Sequence, residues 1–314
     1  MRSSILIYPQ EITKKWIDKM ADGGVDVLGI HPVGDMEELL TKMEGAEFRE
    51  LLDYAISKGM QIEYCFHALS YVLPRKLFES NPEYFRINEK GERSKDFNMC
   101  PSNLDALEII TEKAYELAGR LYGNNEKFHF WIDDDDGGFC KCERCSKMTA
   151  SDQQMVMLGA MIKGVKRRYP DAKLSYLAFQ AAIEPPSMKF DTDGIYLEYA
   201  PVNRWFPDEP HRFGIISREQ ASKKPLLDYF GNKDATVLEY WLDNSLLSRW
   251  KKPPKPYKCD GERLKKEVKE YLELGYRDVS TFGCFLDEDY EKLYGEADIS
   301  AFFEAIADAK KDSY

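Results

Sequence analysis

Short apolar runs alternate with longer amphipathic ones along almost the whole chain. The apolar runs cover residues 4–8, 25–31, 61–69, 128–133, 174–179, 195–200, 237–242 and 278–285. They are rich in Ile, Val, Tyr and Phe, which suit a pleated, buried surface, and they predict eight strands. Helical patterns fill the gaps, at 11–20, 36–58, 104–122, 152–168, 264–274 and 299–309. The second of these carries Leu39, Leu40, Met43, Phe48, Leu51, Leu52 and Ile56 on one side, the spacing of a single amphipathic helix. Ser151 stands three residues before Gln154, as in a capping box, and Gly275 follows the pattern at 264–274 as a C-cap signal. The stretch 180–194 is too Pro-rich for a good helix.

Eight strands alternating with helices in a chain of 314 residues predict an α/β fold, a (β/α)8 TIM barrel. A doubly wound open sheet is the alternative. The count of eight and the lack of a Gly-x-Gly-x-x-Gly after any strand favour the barrel. No linker, low-complexity tract or repeat divides the sequence, so residues 1–314 are expected to form one domain. The long segments after strands three, four, six and seven then stand on the C-terminal face, where barrel active sites sit.

Several polar residues fall at those strand ends. Asp133, Asp134, Asp135 and Asp136 follow strand four in succession. Their mutual repulsion raises some of their pKa values, and a raised carboxyl can act as a general acid. The bland reading is a solvated acidic turn or a divalent-cation site. Strand seven places Glu239 inside the aromatic run Glu239-Tyr240-Trp241, where an unpaired charge would be costly. Strand six carries Glu198, followed by Asn203, Arg204 and Trp205; strand three carries Glu63 and His67; His31 ends strand two. Each alone reads best as a satisfied buried polar group. Their joint placement favours a site. Two carboxylates on opposite lips of a barrel suit glycoside hydrolysis, one protonating the leaving oxygen and the other attacking or activating water. The chain has 19 Tyr, 17 Phe and 5 Trp, and such rings supply flat faces for sugars.

The seven cysteines change the picture locally. Cys140, Cys142 and Cys145 pack three soft ligands into six residues, and Cys100 supplies a fourth if the preceding connection folds beside them. Four thiolates with no open position make a structural zinc site. Free thiols are the alternative. Cys65, Cys259 and Cys284 read as core. The odd, crowded count does not fit a disulfide framework. The N-terminus, Met-Arg-Ser-Ser-Ile-Leu-Ile-Tyr-Pro, is too poor in apolar residues for a signal peptide. A reduced, cytoplasmic protein is expected, though a chain trimmed of its leader would read the same. With 44 Lys and Arg against 55 Asp and Glu, the formal charge is −11. That balance argues against nucleic acid as a partner, and no run of 18 apolar residues supports a membrane span. A bare N-terminal barrel face leaves room for a homodimer.

Certain motifs carry a resemblance. Asn81-Pro82-Glu83-Tyr84-Phe85, Asn98-Met99-Cys100-Pro101-Ser102-Asn103 and Asp136-Gly137-Gly138-Phe139-Cys140-Lys141-Cys142-Glu143-Arg144-Cys145 occur in that order. Ser151-Asp152 and Arg168-Tyr169-Pro170-Asp171 follow. From about residue 60 to about 215 the chain resembles the bacterial family called domain of unknown function 4838. The resemblance implies a glycoside-hydrolase-like barrel distantly related to α-glucuronidases. The cysteine run is also similar to that of family 42 β-galactosidases, which place it after the acid residue of strand four and complete a structural zinc with an upstream Cys. Those enzymes carry Asn-Glu where this chain has Asp135-Asp136. Their nucleophile comes from strand seven, which implies Glu239 here.

The expected protein is therefore a barrel acting on a glycoside. Asp136, then Asp135, is the expected acid; Glu239, then Glu198, is the expected nucleophile or base. His67, Arg204, Trp205, Tyr240 and Trp241 are the expected substrate contacts, with Arg204 suited to the carboxylate of a uronic acid. Cys100, Cys140, Cys142 and Cys145 are the expected ligands of structural zinc. The rivals are a metal-dependent hydrolase or isomerase built on the aspartates at 133–136, and a sugar-binding barrel without catalysis.

Overall fold

The protein is described from a computed structural model covering residues 1–123, 126–135 and 137–311. Eight parallel strands form a closed barrel in sequence order. They are β1 (Arg2–Ile7), β2 (Val27–Ile30), β3 (Gln61–His67), β4 (Lys127–Trp131), β5 (Lys173–Ala178), β6 (Ile195–Tyr199), β7 (Thr236–Glu239) and β8 (Asp278–Phe282). Closure is made by β1 against β8, in register from Arg2 opposite Asp278 to Leu6 opposite Phe282. All eight expected strands form, because runs dense in branched and aromatic residues can bury both faces of a parallel strand.

Helices pack outside the barrel at Lys14–Asp22, Met36–Glu44, Ala46–Ser57, Leu104–Arg120, Ala150–Arg168, Phe213–Phe230, Gly261–Leu274 and Ser300–Lys311. The connection from β5 to β6 holds only a short 3-10 turn, Gln180–Ala182, as its prolines predict. Three expectations change. The pattern at 36–58 is two helices, because the chain becomes extended at Gly45. The capping box of Ala150–Arg168 is made by Thr149 and Asp152, whose side chains each take the other's backbone N–H. Ser151 instead donates to the Glu184 carbonyl. Helix Phe213–Phe230 contains Pro225, and that residue hid it from a periodicity reading.

One close approach fixes the helical layer. A Cβ on Gly164 would meet the Thr111 carbonyl oxygen at 1.9 Å. Helices Leu104–Arg120 and Ala150–Arg168 thus touch backbone to backbone, and Thr111 Oγ1 donates to the Ala160 carbonyl at 3.0 Å across the seam. These two helices follow β3 and β4, so the seam steadies the strands whose far ends carry the acidic turn.

The barrel interior is unusually polar. His129 lies between Glu63, 3.0 Å from Nε2, and Glu198, 3.0 Å from Nδ1. Arg2 pairs with the other Glu63 oxygen at 2.6 Å. Both ring nitrogens face carboxylates, which demands the imidazolium form. Burial opposes that charge, but the neighbouring Cys65 and Glu198 outweigh it, and the His129 pKa stands well above its ordinary value. Burial likewise opposes ionised Glu63, yet His129, Arg2 and Lys127 hold its pKa down at about 2. The carboxylates and the ring satisfy one another, so this chain is a closed structural unit beneath the barrel mouth.

Candidate active site at the C-terminal mouth of the barrel

Above that layer all eight strands contribute to one cavity of about 110 Å³. Trp131 forms part of its lining, and its indole Nε1 donates to Glu198 at 2.8 Å. His31 and His67 flank it, with ring centroids 5.8 and 5.3 Å from the indole. Leu177, Phe179, Leu238 and Phe282 supply apolar walls, and Tyr8, Tyr240 and Ser245 bring hydroxyls. Two carboxylates complete it, Asp134 from the turn after β4 and Asp243 from the turn after β7.

Asp243 is 4% exposed. Its Oδ1 accepts from Ser245 Oγ at 2.6 Å and from the Leu246 N–H at 3.0 Å. Tyr8 in turn donates to Ser245 at 3.2 Å. Burial pushes the Asp243 pKa up to about 6, although these hydrogen bonds pull the other way. Asp134 is exposed and accepts from Gln180 Nε2 at 3.0 Å. The Tyr240 hydroxyl lies within electrostatic reach of both carboxylates, and after burial their charges push its pKa well above the ordinary phenol value.

The histidines are fixed in one orientation. His31 Nδ1 lies 2.7 Å from the Cys65 carbonyl oxygen, and His67 Nδ1 lies 2.5 Å from that of Ile132. A carbonyl only accepts, so each Nδ1 carries a proton, and a neutral His31 ring offers Nε2 as an acceptor. Burial pushes the His31 pKa down to about 4.

The expected site residues divide. His67 and Tyr240 line the cavity. Glu198 lies below it in the closed interior chain and reaches the lining through Trp131. Glu239 is turned the other way, into the layer between strand and helix. It accepts from Tyr271 of helix Gly261–Leu274 at 2.6 Å and from Trp205 at 2.9 Å, and pairs with Arg204 at 3.1 Å. Arg204 also pairs with Glu267, and Trp241 donates to Glu267 at 2.8 Å. Glu239, Arg204, Trp205 and Trp241 therefore form a buried polar cluster behind the mouth. The expectation of Glu239 as nucleophile, with Arg204, Trp205 and Trp241 as contacts, is corrected on this point, since none of them lines the cavity.

The aspartate run does not act as one unit. Asp133 pairs with Arg75, and its backbone N–H donates to Asn98 Oδ1 at 3.0 Å. Asp135 uses Oδ1 to accept from the Gly137 N–H at 2.8 Å, closing its own turn. Asp136 lies outside the described residues. Only Asp134 of the described three faces the cavity. Asp243 escaped the sequence reading because it stands past the strand, where alternation no longer tells which way a side chain points. Trp250, 60% exposed at the cavity rim, carried no sequence signal at all.

Beside the mouth, the sulfurs of Cys100, Cys140, Cys142 and Cys145 lie within 4.8 Å of one another. Cys100 Sγ is 3.8 Å from that of Cys142 and 3.9 Å from that of Cys145. A zinc tetrahedron with bonds of about 2.3 Å has sulfur–sulfur edges of about 3.8 Å, whereas a disulfide needs about 2.0 Å. The four cysteines fit a metal ion. Among the described residues they are the group that brings at least three such ligand atoms together. The cluster joins the connection after β3 to the connection after β4. Gln153 ties it to helix Ala150–Arg168 through the Cys140 N–H, the Cys140 carbonyl and the Cys145 carbonyl. Among the described residues no helix is long and apolar enough to cross a membrane.

A family model described as domain of unknown function (DUF4838) matches residues 40–203. No curated protein matches the chain in sequence. Solved structures share the fold. A β-galactosidase from Rahnella sp. R3 superposes with a TM-score of 0.59 at 13% identity, over 98% of this chain and 55% of that one. The E323A catalytic mutant of Gan42B, a GH42 β-galactosidase from G. stearothermophilus, gives 0.58 at 13%, over 99% and 56%. PbGH5A, a glycoside hydrolase family 5 enzyme from Prevotella bryantii, gives 0.55 at 10%, over 95% and 86%. The chain spans little more than half the length of the two β-galactosidases.

Proposed function

The chain belongs to the DUF4838 family, and from that premise we propose that it is a glycoside hydrolase whose working carboxylates are Asp134 and Asp243. One observation carries the reading: two carboxylates, from the turns after β4 and β7, meet on a single aromatic cavity at the C-terminal mouth. The chemistry needs such a pair, one group holding a proton for the leaving oxygen and one left ionised. Desolvated Asp243, with its pKa near 6, is suited to hold the proton. Asp134, on the solvent side of the cavity, is suited to attack the anomeric carbon or to activate water. Trp131 offers a flat face for the apolar side of a sugar ring.

The four cysteines are read as a structural zinc site. When bound, the metal supplies a closed tetrahedral cross-link and no reactive position. The protein's part is to hold the loop on which Asp134 stands.

The test is hydrolysis of a broad panel of aryl glycosides by wild type, Asp134→Asn and Asp243→Asn. Each variant is expected to lose about 10²–10⁴-fold in kcat while keeping its fold by circular dichroism. Asp243→Asn should recover on dinitrophenyl glycosides, whose leaving group needs no proton, and Asp134→Asn should not. The opposite pattern reverses the two roles. Full activity in both variants sinks the assignment, and Asp136→Asn then tests the neighbouring carboxylate.

A further inference from the structure

We infer that the mouth admits one uncharged or cationic sugar ring and rejects uronic, sulfated and phosphorylated sugars. This rests on the hydrolase reading above and narrows its substrate class.

The first argument is the polarity of the lining. Among the described residues it holds two carboxylates, two imidazoles, three hydroxyls and no Lys or Arg. The His31 imidazole presents an acceptor nitrogen, since its Nδ1 is bound to a carbonyl and burial keeps the ring neutral. Sugar hydroxyls are donors and suit such walls. A carboxylate or sulfate on the ligand would lie near the Asp134 carboxylate with no cationic side chain in the lining to offset its charge, and a buried anion without a counter-charge is strongly disfavoured.

The second argument is that nearby guanidinium groups are already engaged. Arg75 is bound to Asp133. Arg204, the group that would suit a uronic acid, is held behind the mouth by Glu239 and Glu267. Arg249 leans toward Glu209, 3.4 Å away, and Phe206. None of the three lines the cavity.

Size gives the third argument. About 110 Å³ is well below the roughly 300–1,000 Å³ of pockets for drug-sized ligands. At most one ring can enter, and the remainder of a glycoside must lie at the rim, where Trp250 stands. Arg249 and Trp250 both adopt left-handed backbone, with φ of 51° and 54°. Such non-glycine conformations cost roughly 1–3 kcal/mol each and persist where surrounding structure enforces them. Here the Trp250 N–H donates to the carbonyl of Ser245, two residues past Asp243, at 2.7 Å. The strained turn thus presents an exposed indole next to the buried carboxylate.

The experiment is isothermal titration of the whole protein at pH 7 with glucose and galactose, their 1-deoxy iminosugar analogues, and glucuronate and galacturonate. At least one neutral sugar should bind saturably. Its iminosugar should bind at least tenfold tighter, and its uronate at least tenfold weaker. A uronate that binds as tightly as its neutral counterpart overturns the inference, as does the absence of saturable binding by every ligand. The two readings fail separately. Neutral sugars bound without turnover of any glycoside would sink the hydrolase reading alone. Uronides bound and cleaved would sink the selectivity alone.

Discussion

Glu239 and Asp243 stand four residues apart at the end of β7, and both are buried. Their surroundings differ completely. Glu239 faces the helices and receives a guanidinium, a phenol and an indole. Asp243 faces the mouth and receives the Ser245 hydroxyl and backbone amides of its own turn. Burial raises both pKa values, but only Asp243 lines the cavity. A carboxylate tied to a buried guanidinium holds structure together. One held only by its own turn beside an opening is placed to meet a ligand. The interior chain Glu63–His129–Glu198 belongs with Glu239 in this respect, although His129 and two glutamates in a barrel look catalytic on paper.

The sharpest way to break the contrast is to compare the two positions by activity. Asp243→Asn is expected to lose about 10²–10⁴-fold in kcat, whereas Glu239→Gln should change kcat per folded molecule less than tenfold. Stability should respond in the opposite sense. Glu239→Leu leaves Arg204 buried with half its partners and should cost about 3–5 kcal/mol in urea unfolding. Asp243→Asn should do the reverse above pH 6. A raised folded pKa makes the wild-type contribution full below the unfolded value near 3.8 and lost as pH rises through about 6. The amide cannot ionise, so the variant should gain about 1–3 kcal/mol over wild type at pH 8, and nothing at pH 3.5. Equal stability at both values would show that Asp243 is not desolvated.

Two smaller effects sharpen the picture of the rim. If the four cysteines hold a metal as proposed, its removal by a strong chelator, or Cys142→Ser, should lower Tm by about 5 °C and speed hydrogen exchange at residues 85–100 and 137–145, with activity falling only severalfold. Exchange confined to other segments would contradict the clamp. Trp250→Ala should raise KM about tenfold for aryl glycosides, a loss of about 1.4 kcal/mol. It should change monosaccharide affinity little, since the indole stands at the exposed rim of the cavity. A fall in monosaccharide affinity would place it inside.

Much of this was legible in the sequence for definite reasons. Eight apolar runs separated by amphipathic ones leave few alternatives to a closed parallel barrel. The spacing of Cys140, Cys142 and Cys145 put three ligands in one turn of chain, and Cys100 completed the set because its connection borders theirs. The direction of Glu239, away from the cavity, was not legible because a barrel strand is buried on both faces, so Thr236-Val237-Leu238-Glu239 gives no hydrophobic alternation to assign inside and outside. Asp135 was misread because a carboxylate in a tight turn can serve its own backbone, which composition does not reveal. Asp243 and Trp250 lie in an irregular segment where no period exists.

The sequence by itself determined the barrel, the cysteine cluster and the face on which chemistry would gather, since these follow from period, spacing and strand direction. The tertiary structure decided which carboxylates meet. That choice depends on the direction of each side chain and on partners far along the chain, 237 residues apart for Tyr8 and Ser245 and 32 for Tyr271 and Glu239. Local pattern carries no information about such pairings, because they arise only when strands and helices pack together, and the first of them only when the eighth strand closes on the first.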